Sequence, residues 1–371
     1  MARGAKHRNW RIVGIWALRV LALVLAVGTL LSATDLNQWW IRGWDFPRIQ
    51  VLIALVASAI ALFLFDRKGR PYLPLALAAL SAWQAYRIYP YTPLSPTEVA
   101  DIDAIAARDE ACFSLLTLNV LQTNRDYDRT IALIDRLDPD LVLLMENDAA
   151  WSEALSGVLA RYPNQLARPL DNTYGMHFAT RLPMRDAWIE DLAQKDTPSV
   201  FATLEASGVR FRLMGLHPRP PHPGQDTEER DAEIVMAARR ASESPIPVLA
   251  LGDFNDVAWS DTTRLFRDLG GFLDPRVGRG TYATFPADLV WLGWPLDHLF
   301  VTEHFLVDAF RVGDPVGSDH RPVIARLCVS PKKGPAVNAH PDAPDSEDRE
   351  EARDVMEEYE EDTQEDRVEG E

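Results

Sequence analysis

From Ile12 to Ala33 the chain carries no charge other than Arg19, and from Ile49 to Phe65 it carries none. A third apolar stretch runs from Tyr72 to about Tyr89, broken by Gln84 and Arg87 near its end. A helix needs about 20 residues to cross the hydrocarbon core of a bilayer, so residues 1–95 read as an anchor of about three transmembrane helices. Arg19 lies near enough to the N-terminal side of its run to snorkel to the interface. Trp39, Trp40 and Trp44 follow the first run, where an interfacial aromatic belt belongs.

Beyond a Pro- and Thr-containing linker at Pro90–Pro96 the pattern changes to that of a soluble α/β domain, residues 96–330. Phe113–Val120 and the fully apolar Leu141–Met145 predict strands. Further strands are expected at Ser199–Glu205, Val209–Leu216, Pro247–Leu251, His298–Thr302 and Pro322–Val329. Tyr127, Ile131 and Ile134 have helical spacing up to Asp138-Pro139, and Asp226–Ser244 reads as a helix with a charged face. After Pro331 the chain is rich in Glu and Asp and almost free of apolar residues, which predicts a disordered acidic tail over 331–371.

Charge divides along the same boundaries. Residues 1–95 hold 11 Lys and Arg against 3 Asp and Glu, a balance of +8; residues 331–371 hold 5 against 16, a balance of −11. The net −17 of the chain leaves −14 for residues 96–330. That sign disfavours sequence-independent binding of duplex DNA, which relies on Lys and Arg neutralising phosphates. Nucleic acid stays possible as a substrate but is not favoured. Arg3, Lys6, Arg8 and Arg11 precede the first span and Arg67, Lys68 and Arg70 follow the second, whereas Arg42 and Arg48 between them are offset by Asp35 and Asp45. The positive-inside rule then puts the N-terminus in the cytoplasm and, with three spans, the large domain on the periplasmic or extracytoplasmic side of a multi-pass inner-membrane protein. A cleaved signal peptide ending near Ser32-Ala33 is the alternative, in competition with the two later apolar runs. With 371 residues, 47% of them hydrophobic, the chain is no disordered protein, and with 2 Cys it has no structural zinc cluster.

Short polar signatures sit at the ends of the expected strands. In order they are Leu118-Asn119-Val120, Leu143-Leu144-Met145-Glu146, Gly215-Leu216-His217-Pro218, Gly252-Asp253-Phe254-Asn255, Leu296-Asp297-His298 and Gly317-Ser318-Asp319-His320-Arg321-Pro322. Taken singly, each has an ordinary structural reading as a turn former, a solvated strand end or a structural histidine. Taken together they supply oxygen donors from Asn119, Glu146, Asp253, Asn255 and Asp319 with two imidazoles, a set suited to Mg²⁺ or Mn²⁺ rather than zinc.

This ordered set resembles the endonuclease/exonuclease/phosphatase superfamily, which includes DNase-I-like nucleases, exonuclease III-like enzymes, sphingomyelinases and inositol-polyphosphate phosphatases. The likeness runs from about Phe113 to Val329 and is most specific at Gly-Asp-Phe-Asn and Gly-Ser-Asp-His-Arg-Pro. The anchored layout also resembles the bacterial membrane-bound members. The resemblance implies a four-layer α/β/β/α sandwich of the DNase-I-like type. It further implies Glu146 as main metal ligand with Asn119 beside it and Asp319 contributing, and Asp253 orienting or deprotonating the attacking water. Asn255 would hold a phosphate oxygen, with Asn119 also near substrate. His320 would stabilise charge on phosphorus, with Asp297 fixing its tautomer, and His217 would match a second phosphate-contacting position.

Two positions depart from that pattern. Leu121 stands where many of the nucleases carry a further acid, which leaves one metal or two open, and Met145 stands where Gln is often found. Arg321 is expected to be structural. His222 reads as a rim-loop residue and His177 as core or edge packing, while Arg279-Gly280-Thr281-Tyr282 and Thr284-Phe285-Pro286 form a candidate substrate rim. If Asn119 and His320 face one site, their strands run antiparallel. Cys112, 7 residues before Asn119, and Cys328, 8 after His320, then fall at the far end of the sheet. They would pair as a disulfide in an extracytoplasmic domain, or stay two separate buried thiols.

The function expected is metal-dependent hydrolysis of a phosphoester, most of all a phosphodiester, at a membrane. DNA, RNA, nucleotide, phospholipid and inositol phosphate remain open as substrates, and no obligate protein partner is evident. The rival is a catalytically inactive, membrane-tethered binding module of the same fold.

Overall fold

The computed structural model describes residues 2–34, 36–66, 72–104 and 111–369. The chain divides into two compact units, residues 1–90 with 223–225, and residues 91–222 with 226–371.

The first unit is helical: α1 (Ala2–Leu31), α2 (Trp39–Arg42), α3 (Arg48–Phe65) and α4 (Tyr72–Ile88). Its interior is small, built from Ala22, Leu25, Val51, Leu55, Leu62 and Leu77. Large apolar side chains, among them Trp16, Leu23, Ile53, Ile60 and Phe63, face outward. Among the described residues, Trp10–Leu31 and Arg48–Phe65 are long and apolar enough to cross a membrane; α4, at 17 residues, is shorter. Polar groups lie between these helices. Arg48 is paired with Asp45 and donates to Gln84 Oε1 at 3.0 Å, and Gln84 donates to Thr29 Oγ1 at 3.1 Å. Arg19 is not free to snorkel, because it pairs with Asp66 at 2.6 Å. Asp35, Arg67, Lys68 and Arg70 of the orientation argument lie outside the described residues.

Among the described residues the second unit holds eleven strands in two sheets. β1 (Ala111–Asn119), β2 (Leu141–Met145), β3 (Asn164–Arg168), β4 (Met176–Thr180), β10 (Phe305–Val312) and β11 (Val323–Val329) form one, in the order β10-β11-β1-β2-β4-β3. β5 (Met184–Asp191), β6 (Pro198–Ala206), β7 (Val209–Leu216), β8 (Val248–Asp253) and β9 (Asp297–Val301) form the other in sequence order. Helices α5 (Tyr127–Leu137) and α6 (Ala149–Leu159) cover the first sheet, and α7 (Glu228–Ser242) and α8 (Asp261–Gly270) the second. The result is the four-layer α/β/β/α sandwich.

The two-residue period of a strand explains the layering. Leu115, Leu143, Leu213, Leu249, Leu251 and Leu299 meet between the sheets. Their neighbours Leu116, Val142 and Leu144 pack under α5 and α6, and Met214, Leu216 and Ala250 pack under α7 and α8. Both faces of both sheets are covered, so the central strands are apolar throughout rather than alternating.

Two expectations about the ends of this unit meet the structure differently. Cys112 and Cys328 are direct partners in the antiparallel pairing of β1 with β11 and are joined as a disulfide. Residues after Pro331 are not a disordered tail: they form α9 (Gly334–Val337) and α10 (Ser346–Glu369). Ala352, Val355 and Met356 of α10 pack on Val235 and Leu265, and Arg264 of α8 pairs with Asp348 at 2.6 Å and Glu351 at 3.1 Å. The few apolar residues of the tail fall at 3–4 residue spacing, on one helix face. The cations that offset its charge belong to the domain beneath it.

Candidate active site

The strand period that builds the core also aims the polar residues. Asn119 continues the series Phe113, Leu115 and Thr117 on the inner face of β1; Asp253 continues Leu249 and Leu251 on β8; Asp297 begins the series Leu299 and Val301 on β9. Asp253 and Asp297 are register partners, and His217 lies just past the end of β7. Each belongs to the inter-sheet face and stands one step beyond the apolar core. Asn119, His217, Asp253, Asp297 and His320 are all at most 5% exposed.

Three turns make this convergence possible. Gly252 has φ 143°, and a Cβ there would meet Leu216 O at 1.9 Å, so only glycine lets β8 run this close to β7. Glu146 and Asn255 adopt left-handed φ values of 58° and 51°, which turn their chains sharply out of β2 and β8. Backbone of this kind outside glycine is costly and held by surrounding contacts. Here Glu146 Oε2 accepts from Gln122 N at 2.9 Å, and Asn255 donates from Nδ2 to Pro218 O at 2.9 Å.

At the centre, Asp253 Oδ1 accepts from Asn255 N at 2.9 Å, and its Oδ2 accepts from Asn119 Nδ2 at 3.1 Å. The same Oδ2 lies 3.5 Å from His320 Nε2 and 3.9 Å from His217 Nε2. The other nitrogen of His320, Nδ1, is 2.7 Å from Asp297 Oδ2. Asn119 Nδ2 also donates to Glu146 Oε1 at 2.9 Å, while Asn119 Oδ1 accepts from Leu121 N at 3.0 Å. Asn119 thus presents its nitrogen to the two carboxylates. In this arrangement it is a donor that holds them together.

Electrostatics separates the two histidines. Burial would push His320 down, but Asp297 and Asp253 outweigh it and raise its pKa to about 10, so the ring is imidazolium at neutral pH. His217 is lowered to about 4, chiefly by burial and further by His320, against the pull of Asp253. Its ring is neutral, and among the described residues its buried Nδ1 has no hydrogen-bond partner. Burial raises the Asp253 carboxyl, and the His320 cation opposes the shift.

Atoms of Asp253, Asp297 and His320 lie within 4.8 Å of one another and by type could hold a metal ion. Their mutual pairing already supplies the cation, as imidazolium, and occupies the facing lone pairs. Glu146 and Asp319 differ. Both are half-buried, and among the described residues neither has a cation within ion-pair distance. A carboxylate pinned by neutral donors with its charge uncompensated fits a hard divalent cation.

Sequence reasoning missed the groups that hold this centre in place. Ser318 Oγ donates to Asn119 O at 2.7 Å and accepts from His320 N at 3.0 Å, tying the last loop to the first strand. Thr284 Oγ1 accepts from Asp297 N at 3.2 Å, so the expected rim loop also supports the acid. Tyr174 packs beside His217 with ring centroids 5.4 Å apart. Arg321 donates to Gly313 O at 2.9 Å and is structural. His177 is an outer-face residue of β4, 2.9 Å from Gln165 Oε1, and burial lowers its pKa to about 4.

Comparison with known proteins agrees with this geometry. No curated protein sequence matches the chain. The fold matches crystal structures of D. rerio TDP2. A humanized form with 14 mutations gives a TM-score of 0.50 at 16% identity, covering 58% of this chain and 99% of that one. A complex with single strand DNA product gives 0.50 at 18% identity, covering 58% and 98%. An endonuclease/exonuclease/phosphatase from Bacteroides vulgatus aligns at 19% identity with a TM-score of 0.48 over 59% and 99%. The model of the endonuclease/exonuclease/phosphatase family matches residues 116–320, more than half of the sequence and the whole span from Asn119 to His320. The chain belongs to the endonuclease/exonuclease/phosphatase family.

Proposed function

We propose that this chain is a membrane-anchored, divalent-metal-dependent phosphoesterase that hydrolyses a phosphodiester. The observation that carries the reading is the environment of Asp253 Oδ2, a buried carboxylate oxygen facing His320 Nε2 at 3.5 Å and held by Asn119 Nδ2 at 3.1 Å. A buried carboxyl raised by its surroundings is suited to take a proton from water. The adjoining imidazolium, fixed through Nδ1 by Asp297, stabilises negative charge developing on phosphorus. The neutral His217 ring offers a further contact to a phosphate oxygen. Glu146 and Asp319 would hold the divalent cation, which when bound supplies charge neutralisation at the phosphate. Asn255, anchored on Pro218 O, keeps a second amide hydrogen for substrate.

The anchor reading rests on two apolar helices with exposed large side chains, with α4 as a third span. The disulfide favours an oxidising compartment and hence a catalytic unit on the extracytoplasmic face. One structural relative binds a single-stranded DNA product, whereas the −14 of residues 96–330 weighs against long polyanions.

The test is hydrolysis of bis(4-nitrophenyl) phosphate by the detergent-solubilised full chain with Mg²⁺ or Mn²⁺, wild type against Asp253→Asn. Metal-dependent hydrolysis lost in the variant is the expected result. Hydrolysis indifferent to the variant, or none with either metal, would overturn the reading and favour the binding module.

A further inference from the structure

Several of the arginines around the site are neutralised by acids. Arg125 pairs with Asp148 at 2.8 Å, Arg168 with Asp191 at 2.7 Å, Arg230 with Asp231 at 2.8 Å and Arg276 with Asp274 at 2.7 Å. Arg219 is different: among the described residues no carboxylate lies within ion-pair distance of it. It is nevertheless held in one pose. Nε donates to Thr197 Oγ1 at 2.8 Å and Nη2 to Lys195 O at 2.9 Å, and the guanidinium carbon sits 5.0 Å from the centroid of the Tyr174 ring.

That pose is beside the catalytic centre. Arg219 follows His217 by two residues, and the intervening Pro218 carbonyl is the acceptor that fixes Asn255. The Tyr174 ring that Arg219 covers packs against His217. Prolines on both sides, Pro218 and Pro220, restrict the backbone. Among the described residues the Nη1 group has no hydrogen-bond partner, and the residue is only partly buried. A cation anchored through a neutral hydroxyl, a carbonyl and a ring face keeps its full charge, with an unpaired planar edge of the kind that binds an oxyanion.

We propose that Arg219 is a specificity-determining residue that binds a second anionic group of the substrate, next to the scissile phosphoester, and so selects esters carrying a further phosphate over singly charged diesters. The assignment rests on the phosphoesterase reading above and adds a substrate class to it. The scissile phosphate itself is served by His320 and His217. Arg219 lies past them along the same loop, across the Tyr174 ring, where the next charged group of a longer substrate would arrive.

The probes are nitrophenyl esters of a nucleoside bisphosphate and of the matching nucleoside monophosphate, in both polarities, with the full chain and Mn²⁺. Wild type should favour the bisphosphate ester about tenfold in kcat/KM in one polarity, mainly through KM, as expected for one charge-assisted contact. Arg219→Gln should lose that preference and Arg219→Lys should keep part of it. Arg219→Met retains the stem that packs on Tyr174 while removing every donor, and should behave like the Gln variant, with thermal midpoints recorded for each. Equal rates on both esters by wild type in both polarities, or a preference that survives in the Gln and Met variants, would overturn the assignment alone. Failure of wild type to hydrolyse any of the esters would overturn the phosphoesterase reading and this assignment with it.

Discussion

The imidazole of His320 lies between two carboxylates, with Nδ1 2.7 Å from Asp297 Oδ2 and Nε2 3.5 Å from Asp253 Oδ2. Asp297 is therefore the group that keeps this ring charged and oriented. The folded-state pKa of His320, about 10, stands above its ordinary 6.5. The stabilisation is complete below pH 6.5 and is lost as pH rises towards 10. Asp297→Asn should bring the His320 midpoint down towards the ordinary value and flatten that part of the stability curve. An imidazole NMR titration of metal-free protein, with thermal midpoints of both proteins across the same window, measures this. An unchanged His320 midpoint in the variant would contradict the pairing.

Asn119 joins Glu146 to Asp253 by donating to both. Asn119→Asp keeps the size but replaces a shared donor with a third negative charge, and the neighbouring acids must respond by taking up a proton. Stability in metal-free buffer should fall by about 1–3 kcal/mol near neutral pH, and the loss should shrink as pH is lowered and the cluster protonates. Urea unfolding of variant and wild type at several pH values measures it. A loss that does not depend on pH would mean that Asn119 matters only for packing.

Much of this was legible because strand period and chemistry coincide. Asn119, Asp253 and Asp297 share the parity of the leucines that fill the space between the sheets, so a reader who finds the strands finds the direction of the site. The edge strands β3 and β5 were not legible, since their half-exposed residues lack a continuous apolar run, and in β10 the buried Phe305-Leu306-Val307 is too short a run to announce a strand by itself. Ser318 and Thr284 were hidden for another reason. Each works through main-chain groups, and the Ser318 partner, Asn119, lies 199 residues away. Nothing in the sequence singles out Arg219, because what distinguishes it is the lack of an acid beside it, a property of three dimensions. The acidic tail was misjudged because composition counts its few apolar residues without showing that Ala352, Val355 and Met356 share one helix face against the domain.

Cys112 and Cys328 close a loop spanning 216 positions, joining β1 to β11. Crosslinks over long loops remove much of the entropy of the unfolded chain. Replacing both cysteines with alanine should cost about 2–5 kcal/mol, read as a fall in the urea midpoint, and reduction of wild type with dithiothreitol should reproduce it. The candidate site lies at the opposite end of β1, so the proposed phosphodiester hydrolysis by the folded fraction should persist. Loss of stability without loss of that activity is the expected pattern; unaltered stability would mean the crosslink constrains little.

The acidic helix α10 brings a −11 segment onto a −14 domain, so charge as a whole opposes its docking. Ion pairs from Arg264 offset this locally, but that side chain is 44% exposed, and such pairs contribute little. The attachment must then come mainly from Ala352, Val355 and Met356 packing on Val235 and Leu265. Two consequences distinguish this from an electrostatic latch. Val355→Asp should release the helix, exposing it to cleavage by the glutamate-specific protease V8. In wild type, raising salt should slow that cleavage relative to an unstructured acidic peptide, because screening relieves the repulsion within the helix and against the domain. If salt instead speeds cleavage of α10 relative to the peptide, the Arg264 ion pairs, and not the apolar face, hold the helix in place.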